Sequence, residues 1–372
     1  NLKYFLMKKT FILLLFANIL LFSVIGFFSL DTVLAQPTVI VTKLTTRLTP
    51  IDHTGVVTDE FSREEVPADN KPSKDTDFLL ADPYAHMFID SLAARADGSG
   101  RMDDLGGMSC DSLSFSRRHF SYPSEGLPMY GFINIPDGEG PFPVVILLHG
   151  HVKREGYSTL AYTSRYADAL AENGYMVIHP NLRGYLPTPD AENQLGVGDT
   201  VDILNLIAVI RHTAGNEGLL QKADPENIGL WGHSMGGGIV MRVLVIDPQI
   251  KAGLLYAAVH ADEKENLAHF REDGRGYEKC QAPDESLSRI SPISYLDRIS
   301  APVSIHHGDQ DERVPHQWSG YLYDRLSDLG KMATYEIYEG QPHTFRGESD
   351  ARFILNSINF FDQYLKPSPK SE

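Results

Sequence analysis

Gly232-His233-Ser234-Met235-Gly236 sets one serine between glycines at the spacing G-x-S-x-G, and Gly237 and Gly238 follow. A serine hydroxyl is a poor nucleophile until a base takes its proton. An apolar segment, IGLW, leads into this serine and another, IVMRVLV, leads out. Strand, tight turn and helix is the setting in which such a serine reacts. At the tip of that turn the backbone is strained and tolerates only glycine as flanking residues. The hydroxyl then stands at a helix N-terminus, whose dipole favours developing negative charge. Further on, His307-Gly308-Asp309-Gln310-Asp311 follows one apolar run, and Pro342-His343-Thr344 closes the loop after another. Ser, acid and His in that chain order are the parts of acyl transfer through serine. His343 is the base, and Asp309 and Asp311 are both eligible as the acid.

Those residues need a scaffold that brings them to one edge. Pro143–Leu148 is an uninterrupted aliphatic run ending at His149-Gly150, as a strand covered on both faces of a parallel sheet would be. Tyr175–His179, Ile228–Trp231, Ile250–Tyr256, Val303–His307 and Ala333–Tyr338 read as further strands, and Tyr130–Ile135 as an outer one. Helical patterns cover Thr159–Asn173, stopped by Gly174, and Asp199–His212, the stretch from Gly236 to about Val245, Gln317–Leu329 and Asp350–Leu365. Strand alternating with helix implies an α/β chain with a mostly parallel sheet and helices on both faces. Ser234, both aspartates and His343 then fall at strand ends on the edge where such sheets bind ligands. The polar stretch 257–291 interrupts the alternation and reads as a small cap insertion over the site.

Composition sets outer limits. With 42% hydrophobic residues the chain of 372 residues can bury a substantial core. A net charge of −16 argues against nucleic acid, whose phosphates require basic patches. The two cysteines, Cys110 and Cys280, supply no C-x-x-C metal motif. Either one disulfide or two buried thiols fits them.

Lys8-Lys9 followed by an apolar run from Phe11 to Phe28 and by Val33-Leu34-Ala35 reads as an export signal over residues 1–35, with cleavage after Ala35. The run approaches the ~20 residues that span a bilayer, so an uncleaved N-terminal anchor is the alternative. Residues 36–75 read as a linker or arm with a short strand at Thr38–Thr42, residues 76–368 as the catalytic domain, and residues 369–372 as a tail. The expected location is outside the cytoplasm, extracellular or periplasmic, with membrane contact only through the first segment.

From about Phe115 to Leu365 the sequence resembles the catalytic domain of prolyl-oligopeptidase-type serine hydrolases, of the α/β-hydrolase fold, and is also similar to dienelactone-hydrolase-like esterases. The matching segments are YPSEGLPMYGFINIP, PFPVVILLHGH, NLRGY, DPENIGLWGHSMGGG, SPISYLDRISAPVSIHHGDQDERVP and YEGQPHTF. The resemblance implies that the acid of G-x-x-D-x-x-V is Asp311, with Gly308 and Val314, and leaves Asp309 to brace the loop. It implies that the amides of Met235 and His151 hold the oxyanion, and that His149 is structural. Other histidines (His119, His212, His260, His269 and His316) have no motif around them and default to surface roles. Three departures bear on specificity. Met235 stands where peptidase members often carry Tyr, and the stretch before the hydrolase segment is too short for their β-propeller. Asn181 stands where many relatives place Asp, which leaves Arg183 with fewer obvious partners.

The expected activity is therefore a serine hydrolase that cleaves carboxylic esters of small or acylated substrates through Ser234, Asp311 and His343, without metal or organic cofactor. A prolyl-oligopeptidase-like peptidase acting on short peptides is the alternative. A catalytically inactive binding protein on the same fold is a remoter one.

Overall fold

The computed structural model describes residues 82–110, 112–271 and 280–366. The export-signal segment, the 36–75 arm with its Thr38–Thr42 strand, the tail and the middle of the cap lie outside the described residues.

Among the described residues nine strands form one sheet in the order β1-β2-β3-β5-β4-β6-β7-β8-β9. They are β1 (Asp103–Met108), β2 (Phe115–Ser124), β3 (Leu127–Pro136), β4 (Phe142–Leu148), β5 (Met176–Pro180), β6 (Ala223–His233), β7 (Ala252–Tyr256), β8 (Val303–Gly308) and β9 (Ala333–Tyr338). From β5 to β9 every neighbouring pair is parallel. β1, β2 and β3 are antiparallel to one another, and β3 is antiparallel to β5. The Tyr130–Ile135 segment thus lies inside the antiparallel flank, and β1 takes the outer place.

Among the described residues eight α-helices surround the sheet: α1 (Ile89–Ala93), α2 (Ser164–Glu172), α3 (Val197–Thr213), α4 (Met235–Ile246), α5 (Glu263–Phe270), α6 (Asp284–Ile290), α7 (His316–Asp328) and α8 (Gly347–Leu365). Helix α2 starts later than the apolar pattern suggests, because residues 159–163 form turns.

The period-two geometry of a strand sorts the core. On β4, Val144, Ile146 and Leu148 face a cluster with Ile203, Leu206 and Ile207 of α3 and Val240 and Leu244 of α4. Val145 and Leu147 point the other way, to Tyr166 and Leu170 of α2 and Phe353 and Phe361 of α8. Both faces of β4 are therefore covered, which is why its sequence is a continuous apolar run.

Between β7 and β8 the chain leaves the alternation for the short helices α5 and α6. Asp262 caps α5, accepting from the Lys264 amide at 2.9 Å. Glu263 at the start of α5 is buried against Arg242 of α4, and Asn266 donates to it at 3.2 Å. This buried ion pair joins the insertion to the helix that begins just after Ser234.

Candidate active site

The loops after β4, β6, β7, β8 and β9 all open at the same edge, because these strands run parallel. Ser234 occupies the sharp turn between β6 and α4 with φ 55° and ψ −116°, a conformation that L-residues rarely adopt. Two glycines make this turn sterically feasible. A Cβ on Gly232 would lie 2.4 Å from the Gly236 carbonyl oxygen, and one on Gly236 would lie 2.4 Å from the Leu148 oxygen. The serine main chain is pinned on both sides. Its N–H donates to the Tyr256 carbonyl at 2.8 Å, and its carbonyl accepts from Gly237 at 3.0 Å and Val259 at 3.2 Å. Met235 opens α4, where helix N–H groups have no partner within the helix.

Asp311 lies on the loop after β8. Its Oδ1 accepts from the amides of Arg313 at 2.8 Å and Val314 at 2.9 Å. Its Oδ2 accepts from His343 Nδ1 at 2.7 Å and from His307 Nε2 at 3.0 Å. Burial by itself would raise the Asp311 pKa, but the bonds from His307 and His343 outweigh it and hold the carboxyl well below the usual carboxylate range. Asp309 points elsewhere: its Oδ1 accepts from the Gly340 amide at 2.6 Å, which ties the β8 loop to the end of β9. The structure thus brings Asp311, and not Asp309, to His343.

The loops after β8 and β9 are built against each other at Gly308. A Cβ there would lie 2.2 Å from the Gln341 carbonyl oxygen and 2.9 Å from that of Pro342. Gln310 N–H also donates to the Gln341 carbonyl at 3.1 Å. His343 reaches the elbow through the residue before the nucleophile: His233 Nε2 lies 3.0 Å from the His343 carbonyl oxygen, and the two rings are 4.6 Å apart.

On the loop after β4, the Gly150 amide donates to the Tyr162 hydroxyl at 2.9 Å. The Tyr185 hydroxyl holds the next residues, 3.3 Å from His151 Nδ1 and 3.4 Å from the Val152 amide. His149 is buried, with Nδ1 donating to the Gly150 carbonyl at 2.8 Å. Burial lowers its pKa to about 4, so it is a neutral structural ring.

Two readings from the sequence change, those of Arg183 and His260, while His269 stays exposed as expected. Arg183 is fully engaged: Nε and one terminal nitrogen grip Asp202 at 2.7 and 2.9 Å, and another donates to the Glu192 carbonyl at 2.6 Å. A buried acid from α3 replaces the one missing at Asn181, which sequence neighbours could not reveal. His260 is not a surface residue; it is buried, 5.6 Å from the Tyr321 ring in a stacked arrangement. His269 of α5 hydrogen-bonds through Nε2 to the Arg313 carbonyl at 2.9 Å, joining the insertion to the loop of Asp311. Cys110 and Cys280 are both free thiols.

Beside these loops Val259, Phe270 and Val314 form a small apolar cluster, with half-buried Trp318 packed on it. The cluster spans the gap between Ser234 and Asp311, since Val259 bonds the former and Val314 the latter. Sequence reasoning missed His233, His307, Tyr162 and Tyr256. His307, inside the HHGDQDERVP segment, and His233, inside the elbow motif itself, sat in motifs at places that could have drawn notice. Among the described residues no group of three or more His, Cys, Asp or Glu is arranged to hold a metal ion.

The sequence model described as the prolyl oligopeptidase family matches residues 161–368. The uncharacterized peptidase YuxL of Bacillus subtilis (strain 168) is 22% identical over 277 residues, covering 68% of this chain and 40% of YuxL. The uncharacterized peptidase YtmA of the same organism is 24% identical over 243 residues, covering 63% of this chain and 88% of YtmA. Among solved structures, the uncomplexed acylaminoacyl peptidase of Pyrococcus horikoshii is similar with a TM-score of 0.56 at 24% identity, covering 70% of this chain and 44% of that one. The matched part of this chain thus spans less than half of YuxL and of the Pyrococcus enzyme. This likeness of structure carries the α/β-hydrolase fold.

Proposed function

The chain belongs to the prolyl oligopeptidase family, and from that premise we propose that this serine hydrolase cleaves short peptides through an acyl-enzyme on Ser234. The observation that carries the reading is the bond of His343 Nδ1 to an Asp311 carboxylate held charged, on a loop bonded to the residue before a strained serine. With Nδ1–H committed to Asp311, His343 presents Nε2 as the base. Ser234 attacks a carbonyl carbon as His343 takes its proton, and the amides of Met235 and His151 receive the oxyanion. His343 then protonates the leaving amine, and water attacks the acyl-enzyme with His343 again as base. Val259, Phe270, Val314 and Trp318 offer an apolar wall for the residue on the acyl side.

Short peptides take precedence over the small esters favoured by the sequence alone, because the family match and the names of YuxL and YtmA are those of peptidases. Esters are the second class, since their better leaving group asks less of the same site. Export, with or without an N-terminal anchor, is proposed from the apolar run at residues 11–28.

The test is a comparison of the parent chain with Ser234→Ala on a panel of short peptide amides and p-nitrophenyl esters, alongside labelling by a fluorophosphonate. The parent should hydrolyse both classes and be labelled at Ser234, and the variant should lose both properties. Full turnover by Ser234→Ala would overturn the assignment; turnover of esters alone would replace the peptide reading with the ester one.

A further inference from the structure

We propose that His233 is a positioning residue, an uncharged imidazole that fastens the loop after β4, which carries the His151 amide, and the loop of His343 to the nucleophile turn. The proposal rests on the assignment of Ser234 and His343 above and deepens it. The x positions of G-x-S-x-G carry no requirement for histidine, so what this ring touches decides what it does.

Both ring nitrogens are engaged. Nε2 is 3.0 Å from the His343 carbonyl oxygen, which only accepts, so Nε2 carries the proton. Nδ1 is 2.7 Å from the Tyr162 hydroxyl, whose oxygen accepts from the Gly150 amide at 2.9 Å. The hydroxyl proton therefore goes to Nδ1. One unbroken run of donors and acceptors follows, from Gly150 N–H through the Tyr162 hydroxyl and the His233 ring to the His343 main chain. Every proton in it is assigned with the ring neutral. Burial, and next the proximity of His343, push the His233 pKa well below its ordinary value, so the neutral ring is the stable one.

Tyr256 completes the fastening from the other side. Its carbonyl accepts from Ser234 N–H at 2.8 Å and its hydroxyl from Phe345 N–H at 2.5 Å. The loop of His343 is thus held at residue 343 by the elbow and at residue 345 by the end of β7. The His233 and Tyr256 rings lie 4.4 Å apart and pack as one unit. Positioning of this kind acts on the reacting geometry more than on substrate affinity, and an error of ~1 Å costs up to about 10² in rate.

The experiment uses the full chain with His233→Phe, His233→Gln, Tyr162→Phe and, as a reference, Ser234→Ala. Steady-state kinetics are measured on a short peptide amide and a p-nitrophenyl ester. His233→Phe keeps a ring and loses both bonds; we expect kcat to fall about tenfold to a hundredfold with KM within about twofold. His233→Gln can return an N–H to the position of Nε2 and should recover at least half of that loss on a logarithmic scale. Tyr162→Phe removes only the hydroxyl and should lower kcat about threefold to tenfold. A folded His233→Phe with parental kcat, or a Gln variant no better than the Phe variant, overturns the proposal. If His233→Phe does not fold, Tyr162→Phe decides, and unchanged kcat there is equally fatal. Should Ser234→Ala keep its activity, the catalytic assignment falls and takes this role with it. An inactive Ser234→Ala beside fully active His233 and Tyr162 variants would sink the positioning role alone.

Discussion

His307 Nε2 lies 3.0 Å from Asp311 Oδ2, the same oxygen that accepts from His343 Nδ1 at 2.7 Å. Its N–H is shared with the Val314 carbonyl at 3.1 Å, while Nδ1 meets the Ser319 hydroxyl of α7 at 2.7 Å. The acid is thus steered by a second imidazole buried beneath it. Asp311→Asn should lower kcat by ~10⁴, because an amide cannot hold His343 in the required tautomer. His307→Ala keeps the carboxylate and its two amide donors, and should cost about tenfold in kcat with little change in KM. Parallel kinetics of the two variants, with circular dichroism to verify folding, test the ranking.

Asp309 sits two residues away and offers a sharp contrast. Its carboxylate serves the Gly340 amide, so Asp309→Asn should retain an acceptor and keep kcat within about threefold. A loss comparable to that of Asp311→Asn would mean that the acid had been assigned to the wrong residue.

The buried histidines make the fold acid-sensitive. Burial lowers His149 to about 4, and His179 and His306 to about 3. Unfolding returns each toward ~6.5, so the unfolded chain binds more protons between these values. Their contribution is complete above about pH 6.5 and declines as pH falls, by about 1.4 kcal/mol per unit for each ring. Asp199 opposes them: burial raises it to about 6, so its folded form gains stability as pH drops from about 6 toward 4. Burial also lowers His233 and His260 and raises Asp202 and Glu263, and five rings against three carboxyls leave a net loss. Urea unfolding at pH 7.5, 6.5 and 5 should show stability falling between the last two points, and a flat profile would contradict the buried neutral rings.

Glu263 and Arg242 give a prediction about the insertion. Both side chains are buried, and Arg242 also donates to the Thr200 hydroxyl at 3.2 Å. Glu263→Ala leaves a buried guanidinium without its counter-charge and should cost about 3–5 kcal/mol. The pair Arg242→Met with Glu263→Leu removes both charges and should recover most of that. Denaturant midpoints of the single and double variants check the sign.

How legible this molecule was depends on how local each requirement is. The parallel strands announce themselves, because β4, β7 and the second half of β6 are buried on both faces and run almost wholly apolar, whereas β8 buries Ser304, His306 and His307 among its aliphatic residues. Ser234 and His343 were readable for a related reason: the elbow constrains its immediate glycines, and the histidine follows the last strand. The flank β1–β2 was hidden. β1 is Gly-rich and largely exposed, and β2 turns Arg117 inward, where Asn134 and Asp168 receive its guanidinium. A buried arginine reads as a surface residue until its partners, far off in sequence, are in place. His233, Tyr162, His307 and Arg183 were missed on the same ground. Each derives its role from a residue 4 to 110 positions away or from a carbonyl, and a linear pattern carries little trace of that.

Among the described residues β9 ends the sheet, hydrogen-bonded along one side to β8 and with no strand paired along the other. Ser234 hangs from β6, deep in the sheet between β4 and β7. The two halves of the site therefore stand on ground of unequal firmness. Amide protons of β9 will exchange with solvent through small local openings while those of β6 wait for global unfolding. An early heat or denaturant lesion will thus part the base from an intact nucleophile turn, and activity will vanish before the core gives way.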